Sequence, residues 1–307
     1  MGILKQLTSE QKQTLAAHTL VGRGRVCSIV IPRRIVSSEH ASLTWLASTG
    51  GPGWVLRDLA SRNGTWLNDQ RLDPGAPATL TTGSVVAFGD PEDRWSLIDD
   101  APPIAMARRI PDGAVHLAEG GALLLPSSGD PEITVFHSGY GDWILEDDSG
   151  ARTVQDQEIL TATAGSWQLF LPQVVEGTVN SSALRPELMT LTLQLQVSRD
   201  EEHVKTTLHL GTQHFELEPR SYHYLLVLLA RIRRDDADAS EEEQGWIDAE
   251  LLARQLAVTR RTLNVHICRL RQQIGQTGID GAAGIIERRS GARQIRLGVA
   301  VFTVESL

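Results

Sequence analysis

The chain has 307 residues, 41% of them apolar and 22% charged, with a formal net charge of −9. That length suits two or three domains, and the composition excludes a disordered, collagen-like or disulfide-stapled chain; no apolar run approaches bilayer length. The acidic total would argue against a nucleic-acid partner if it were evenly spread, which it is not.

Met1 to Leu20 carries Lys5, Glu10 and Lys12 and no apolar run, so it does not read as a signal peptide. The two cysteines, Cys27 and Cys268, lie far apart and fit buried free thiols in a reducing cytoplasm better than a disulfide or a metal site. A first region, 1–100, has short apolar runs between Gly, Pro, Asn and Asp, the pattern of an all-β sandwich. Its predicted strands are Leu20-Val21, Ser28–Ile31, Ala41–Leu46, Trp54–Asp58, Thr65–Leu67, Ser84–Phe88 and Arg94–Ile98, after an opening helix near Ser9–Ala17 capped by Ser9.

A second region, 101–185, begins at Ala101-Pro102-Pro103 and again reads as β, at Ala122–Leu125, Ile133–His137, Trp143–Glu146 and Trp167–Leu171. Trp143-Ile144-Leu145-Glu146-Asp147 echoes Trp54-Val55-Leu56-Arg57-Asp58, which leaves open a degenerate second copy of the first region or a chance match. The third region, 186–307, starts with strands Thr190–Val197 and Thr206–Leu210. Helices are predicted over Arg220–Ile232 after Pro219, over Asp248–Leu256, and over Thr259–Ile274 with Thr259 as cap. Strand pieces Ile285–Glu287 and Gln294–Leu297 then flank a turn at Ser290-Gly291. Strands, three helices and a hairpin are the order of a winged helix, so the expected class is multidomain and β-rich with a C-terminal α/β winged helix.

Charge is concentrated in that last region. Leu251 to Leu297 holds nine arginines against Asp280 and Glu287, a local +7, whereas Asp235 to Glu250 holds eight acids and no base. Leu263, Ile267, Leu270 and Ile274 make one apolar stripe on the third helix, leaving Arg261, Asn264, Arg269 and Arg271 on other faces. An anchored helix with Arg and Asn projecting from it suits a major groove. Asn264 and Arg269 are the candidates for base edges, Arg261 and Arg271 for phosphates, and Arg288, Arg289 and Arg293 for the backbone or minor groove, with Arg260 a further DNA-binding candidate. His266 reads equally as packed, phosphate-bonding or base-reading. The acidic stretch Arg234–Gly245 reads as a flexible surface loop that DNA would repel.

Four blocks stand in order in the first region: Gly22-Arg23; Ser28-Ile29-Val30-Ile31-Pro32; Val36-Ser37-Ser38-Glu39-His40-Ala41; and Asp58 to Asn68, containing Ser61-Arg62-Asn63-Gly64-Thr65. A phosphate ester, with nearly two negative charges and three acceptor oxygens, is held by a fixed guanidinium and neutral donors. Arg23, Ser37, Ser38, Ser61, Arg62, Asn63 and Asn68 are the candidates. Asn63 could hold peptide main chain, while Arg23 could also be a surface charge and Ser37 a turn cap. His40 reads as buried and structural, Gly64 as a positive-φ turn, and Trp66 as core.

On these blocks residues 20–100 resemble the forkhead-associated (FHA) domain. The resemblance implies that Arg23 and Ser37 hold the phosphate and Asn63 the peptide main chain; Ser38 stands where many members have arginine. Residues 188–297 resemble the DNA-binding domain of OmpR-type response regulators through Phe215 to Tyr222, Arg261 to Ile274 and Ile285 to Gly291, implying a first-helix entry, a recognition helix and a wing. The receiver domain usual in such regulators is not recognisable. No phosphate-binding glycine loop, paired metal ligands or nucleophile–base pattern points to an enzyme, a cofactor or a metal. The expected function is a cytoplasmic, Ser/Thr-kinase-linked transcription regulator, able to dimerise on double-stranded DNA, that docks a phosphothreonine partner or its own phosphorylated segment. The alternative is a phosphopeptide-binding scaffold whose winged helix contacts protein.

Overall fold

A computed structural model describes residues 1–48, 51–138, 142–172, 188–279 and 281–307. They fall into two compact units, one built on Met1–Met106 and one on Ala107–Leu169 with 188–307. This differs from the expected three regions: the middle region packs with the C-terminal one. The boundary expected at 185/186 lies outside the described residues.

The first unit is a sandwich of eleven strands: β1 (Ile3–Gln6), β2 (Lys12–Thr14), β3 (His18–Gly22), β4 (Ile29–Val30), β5 (Ala41–Ser48), β6 (Gly51–Asp58), β7 (Thr65–Leu67), β8 (Gln70–Arg71), β9 (Ala78–Leu80), β10 (Val85–Phe88) and β11 (Arg94–Asp99). One sheet runs β2-β1-β11-β10-β7-β8 and the other β4-β3-β5-β6-β9. Leu43, Trp54 and Leu56 from the second meet Leu4, Val86, Phe88, Trp95 and Leu97 from the first, all buried in one core. Alternation within each strand sends these side chains inward.

The predicted opening helix is absent. Gln6 donates its N–H to the Gln11 carbonyl at 2.8 Å and Glu10 takes a φ of 61°, so the chain turns back and β2 pairs antiparallel with β1, Ile3 opposite Thr14. Pairing with a strand already in the sheet outweighs a weak local helix signal.

Among the described residues the second unit holds three four-stranded sheets, one three-stranded sheet and three α-helices. β12 (Met106–Arg109), β13 (Val115–Leu117), β18 (Ile159–Ala162) and β19 (Gly165–Phe170) form the sheet β13-β12-β19-β18. β14 (Ala122–Leu125), β15 (Ile133–His137), β16 (Trp143–Asp147) and β17 (Gly150–Val154) form an antiparallel meander. Next come β20 (Thr192–Val197), β21 (Val204–Leu210) and β22 (Gln213–Leu217), α1 (Tyr224–Asp235), β23 (Ile247–Asp248), α2 (Ala249–Gln255), α3 (Arg260–Gly275), β24 (Ile286–Arg288), β25 (Gln294–Leu297) and β26 (Val301–Ser306). The last strand lies parallel to β20, in the order β22-β21-β20-β26, and β23-β25-β24 make a small sheet beside the helices.

The predicted helices form, the first of them from Tyr224 after a single tight turn at Ser221–His223. Asp248 caps α2 by accepting from the N–H groups of Glu250 and Leu251, and the Thr259 hydroxyl caps α3 by accepting from Thr262. Among the described residues no helix is long and apolar enough to cross a membrane.

Trp54 is fully buried between the two sheets of the first unit. Trp54→Ala is expected to destabilise that unit by about 3–5 kcal/mol, read as an earlier unfolding transition in urea; an unchanged midpoint would contradict this packing.

Candidate functional site

At one end of the first unit, three loops converge around His40. The ring is fully buried; Nδ1 accepts from the Ser37 N–H at 3.0 Å, so Nε2 carries the proton and donates to the Gly64 carbonyl at 2.9 Å. One neutral imidazole thus holds the 35–40 loop against the 58–64 loop. Burial pushes the His40 pKa below its ordinary value, with the Gly64 carbonyl and Asp58 opposing. Gly64 takes the predicted positive φ, 90°.

Backbone pairing adds the third loop. Arg23 and Gly24 donate their N–H groups to the Ser37 and Ser38 carbonyls at 2.8 and 2.9 Å. Any Cβ on Gly22 would overlap the Ser38 carbonyl, which explains a glycine just before the arginine. Arg23 is exposed, its Nε donating to the Val36 carbonyl at 3.3 Å. The Ser37 hydroxyl accepts from the Arg62 N–H at 3.1 Å, which leaves its own proton to donate elsewhere. Asn63 spends one amide proton on the Ile35 carbonyl at 2.6 Å. Arg23, Ser37, Arg62 and Asn63 therefore gather at one loop cluster, with Ser38 and Arg25 exposed beside them.

Two candidates have other duties. Ser61 donates its hydroxyl to buried Asp58 at 2.6 Å and accepts from Gly64 N–H at 3.0 Å, so it organises the loop rather than offering a proton to a ligand. Asn68 sits in the β7–β8 turn at φ 50°, its side-chain oxygen accepting from Val85 N–H at 2.9 Å. Asp58 also accepts from the Thr65 hydroxyl at 2.6 Å. Burial pushes its pKa up, but the hydrogen bonds from Ser61 and Thr65 outweigh this and leave it below the ordinary value. Trp66, expected in the core, is half-buried with the Arg71 guanidinium 5.8 Å from its ring. Arg71 itself presses on Gly64, next to Asn63. That cation had no signal in the motif, because only the β7–β8 hairpin brings it back to the loop.

Residues 19–89 match the family model of the FHA domain. The chain carries an FHA domain there. A curated human protein, kanadaptin, is 36% identical over 80 residues, 24% of this chain and 11% of that protein. Among solved structures, EmbR of Mycobacterium tuberculosis in complex with a low-affinity phosphopeptide is 26% identical, covering 33% of this chain and 25% of that one, with a TM-score of 0.28. The FHA domain of the CT664 protein from Chlamydia trachomatis is 25% identical over 33% of this chain and 98% of that one, with a TM-score of 0.27.

The second predicted site lies in the other unit, and the structure distributes its arginines unequally. Arg269 and Arg293 are exposed. Arg261 is exposed and ion-paired to Asp130, while Arg260 lies 3.5 Å from Asp148. Asn264 donates to Asp148 at 3.3 Å. Arg271, expected to reach a phosphate, is instead wholly buried, its Nη1 and Nη2 donating to Glu146 at 2.7 and 3.0 Å. Arg288 is held in the same way, 3.1 Å from Glu146 and 2.7 Å from the Asn264 side-chain oxygen. His266 is half-buried, its ring 6.0 Å from that of Tyr222; burial, then Arg269, lowers its pKa. The acidic stretch before α2 is also engaged: Glu243 pairs with Arg289, and Arg296 donates to the Glu241 and Glu242 carbonyls at 2.9 Å while facing Trp246.

Because the folded-state pKa of His40 is lowered, its contribution to stability is present above the unfolded value near 6.5 and is lost as pH falls below it. The FHA domain should weaken as pH falls below about 6.5, and His40→Gln should flatten that slope; equal slopes for both proteins would contradict the neutral-ring arrangement.

Proposed function

We propose that this chain is a transcription regulator that docks a phosphothreonine segment on its FHA domain and binds double-stranded DNA through a C-terminal winged helix. The observation that carries the first half is the joining of Arg23, Ser37, Arg62 and Asn63 around His40. The two cations can neutralise a dianionic phosphate, the Ser37 hydroxyl can donate to it, and the remaining Asn63 amide groups can grip peptide main chain. A Ser/Thr kinase acts upstream, phosphorylating a partner or this chain itself.

The DNA half rests on the resemblance of 188–297 to OmpR-type domains, on the capped, arginine-rich α3, and on the β24–β25 hairpin with Arg289 and Arg293. Two protomers on DNA suit this reading. The second reading, a phosphopeptide-binding scaffold with a protein-binding C-terminal part, is favoured by one observation: the Arg271 side of α3 is already packed on protein.

Fluorescence anisotropy with a randomised phosphothreonine peptide pool tests the first half. Binding should require the phosphate, and Arg23→Ala should weaken it roughly 10–100-fold, the loss of one charge-assisted hydrogen bond. Equal affinity for the unphosphorylated pool would overturn the reading. An electrophoretic shift on genomic fragments should be salt-sensitive and weakened by Arg269→Ala; no shift under any salt condition, by the parent or by variants relieved of the acids that contact the arginines, would favour the scaffold.

A further inference from the structure

Two stripes run side by side along α3. Leu263, Ile267, Leu270 and Ile274 enter the core of the C-terminal part. Asn264, Cys268 and Arg271, one position further on at each step, face the meander β14–β17, and Gly275, next on that stripe, meets Gly120 just before β14. There Cys268 packs with Ala122, Leu124 and Phe136, and the Arg271 guanidinium lies 4.7 Å from the Phe136 ring. Gly275 has no room for a Cβ because the Gly120 carbonyl occupies that space, and Gly120 equally abuts the backbone at Gln272.

Among the described residues the ion pairs across this surface have one sense. Glu146 meets Arg271 and Arg288, Asp148 meets Arg260 and Asn264, and Asp130 meets Arg261. Each of these carboxylates belongs to the middle region, and each nitrogen donor to the segment proposed to meet phosphates. Glu243, from the acidic stretch before α2, completes the set on Arg289. Carboxylates thus stand where a phosphate backbone would stand, and duplex DNA and the meander compete for the same guanidinium groups.

We propose that the β14–β17 meander is a built-in mask of α3, an autoinhibitory acidic surface that must leave before duplex DNA can be bound. This rests on the DNA-binding reading above. Release separates Glu146 from Arg271 and Arg288 and frees the Asn264–Arg271 stripe, while the apolar stripe keeps α3 seated in its own core.

The full chain supplies both a lock and a release. Thr134 Oγ1 on β15 lies 3.6 Å from Cys268 Sγ on α3, so Thr134→Cys places a thiol where a short adjustment permits a disulfide to Cys268. The parent chain, treated identically, controls for oxidation. Asp130→Asn and Asp148→Asn remove two solvent-accessible charges of the mask itself, and Glu243→Gln removes the exposed acid beside it on Arg289, all with little risk to folding.

Binding to a pool of genomic duplexes would be read for each protein. The mask predicts that oxidised Thr134→Cys binds at least about tenfold more weakly than its reduced form, and that the triple variant binds at least about tenfold more tightly than the parent. Equal binding by oxidised and reduced Thr134→Cys, with the disulfide verified by thiol titration, overturns the mask and leaves DNA binding standing. If neither the reduced proteins nor the triple variant binds any duplex, the DNA reading itself falls, and the mask with it.

Discussion

The carboxylate of Glu146 faces two guanidinium groups in a nearly dry setting, its side chain 3% exposed and that of Arg271 1%. Leaving any of these charges buried without a counter-charge would be costly, so the three groups must be met together or not at all. One acid against two arginines also leaves an excess positive charge, and burial pushes the Arg288 pKa down while Glu146 opposes it. The Asn264 oxygen and the Ile286 carbonyl soften that excess by accepting from Arg288 and Arg271. The cluster ties β16 to α3 and to β24, and so it decides whether the middle region and the C-terminal part behave as one body.

The FHA domain achieves its organisation by the opposite means. At its centre is a neutral group, His40, which binds two backbone positions 27 residues apart, Ser37 and Gly64. Asp58, beneath, gathers Ser61 and Thr65. With buried groups holding the loops, Arg23, Ser37, Arg62 and Asn63 can stay near the surface without carrying the fold themselves. Structure is anchored below and chemistry displayed above, which suits a receptor for a ligand that arrives already charged.

Much of this was legible in the sequence. His40 and Gly64 could be read because a buried ring and a positive φ each leave a local trace in residue type and neighbours. The Thr259 cap and the apolar stripe of α3 were legible for the same reason, since period and capping are local. The opening helix failed because the partner of Lys12–Thr14 is β1, and local propensity does not report pairing. The loop bonds of Ser61 and Asn68 were not legible, because a hydroxyl or amide in a motif can serve the loop as well as a ligand. The spacing of Arg271 shows that it points away from the apolar stripe of α3, but not that β16, about 125 positions earlier, covers it. The Trp143–Asp147 echo drew attention to that strand for its likeness to Trp54–Asp58, whereas its importance here lies in the acid at Glu146.

If α3 is covered by a removable surface, the accessibility of Arg271 is the quantity on which the account turns. Labelling the full chain with a guanidine-directed reagent and reading each arginine by mass spectrometry measures it without knowledge of any operator or partner. In the parent protein Arg269 should react readily and Arg271 hardly at all; in the Asp130→Asn, Asp148→Asn, Glu243→Gln protein Arg271 should become reactive while Arg233, buried against the Leu297 and Val299 carbonyls, stays protected. Equal protection of Arg271 in both proteins would mean that the meander is a permanent part of the C-terminal core and not a mask.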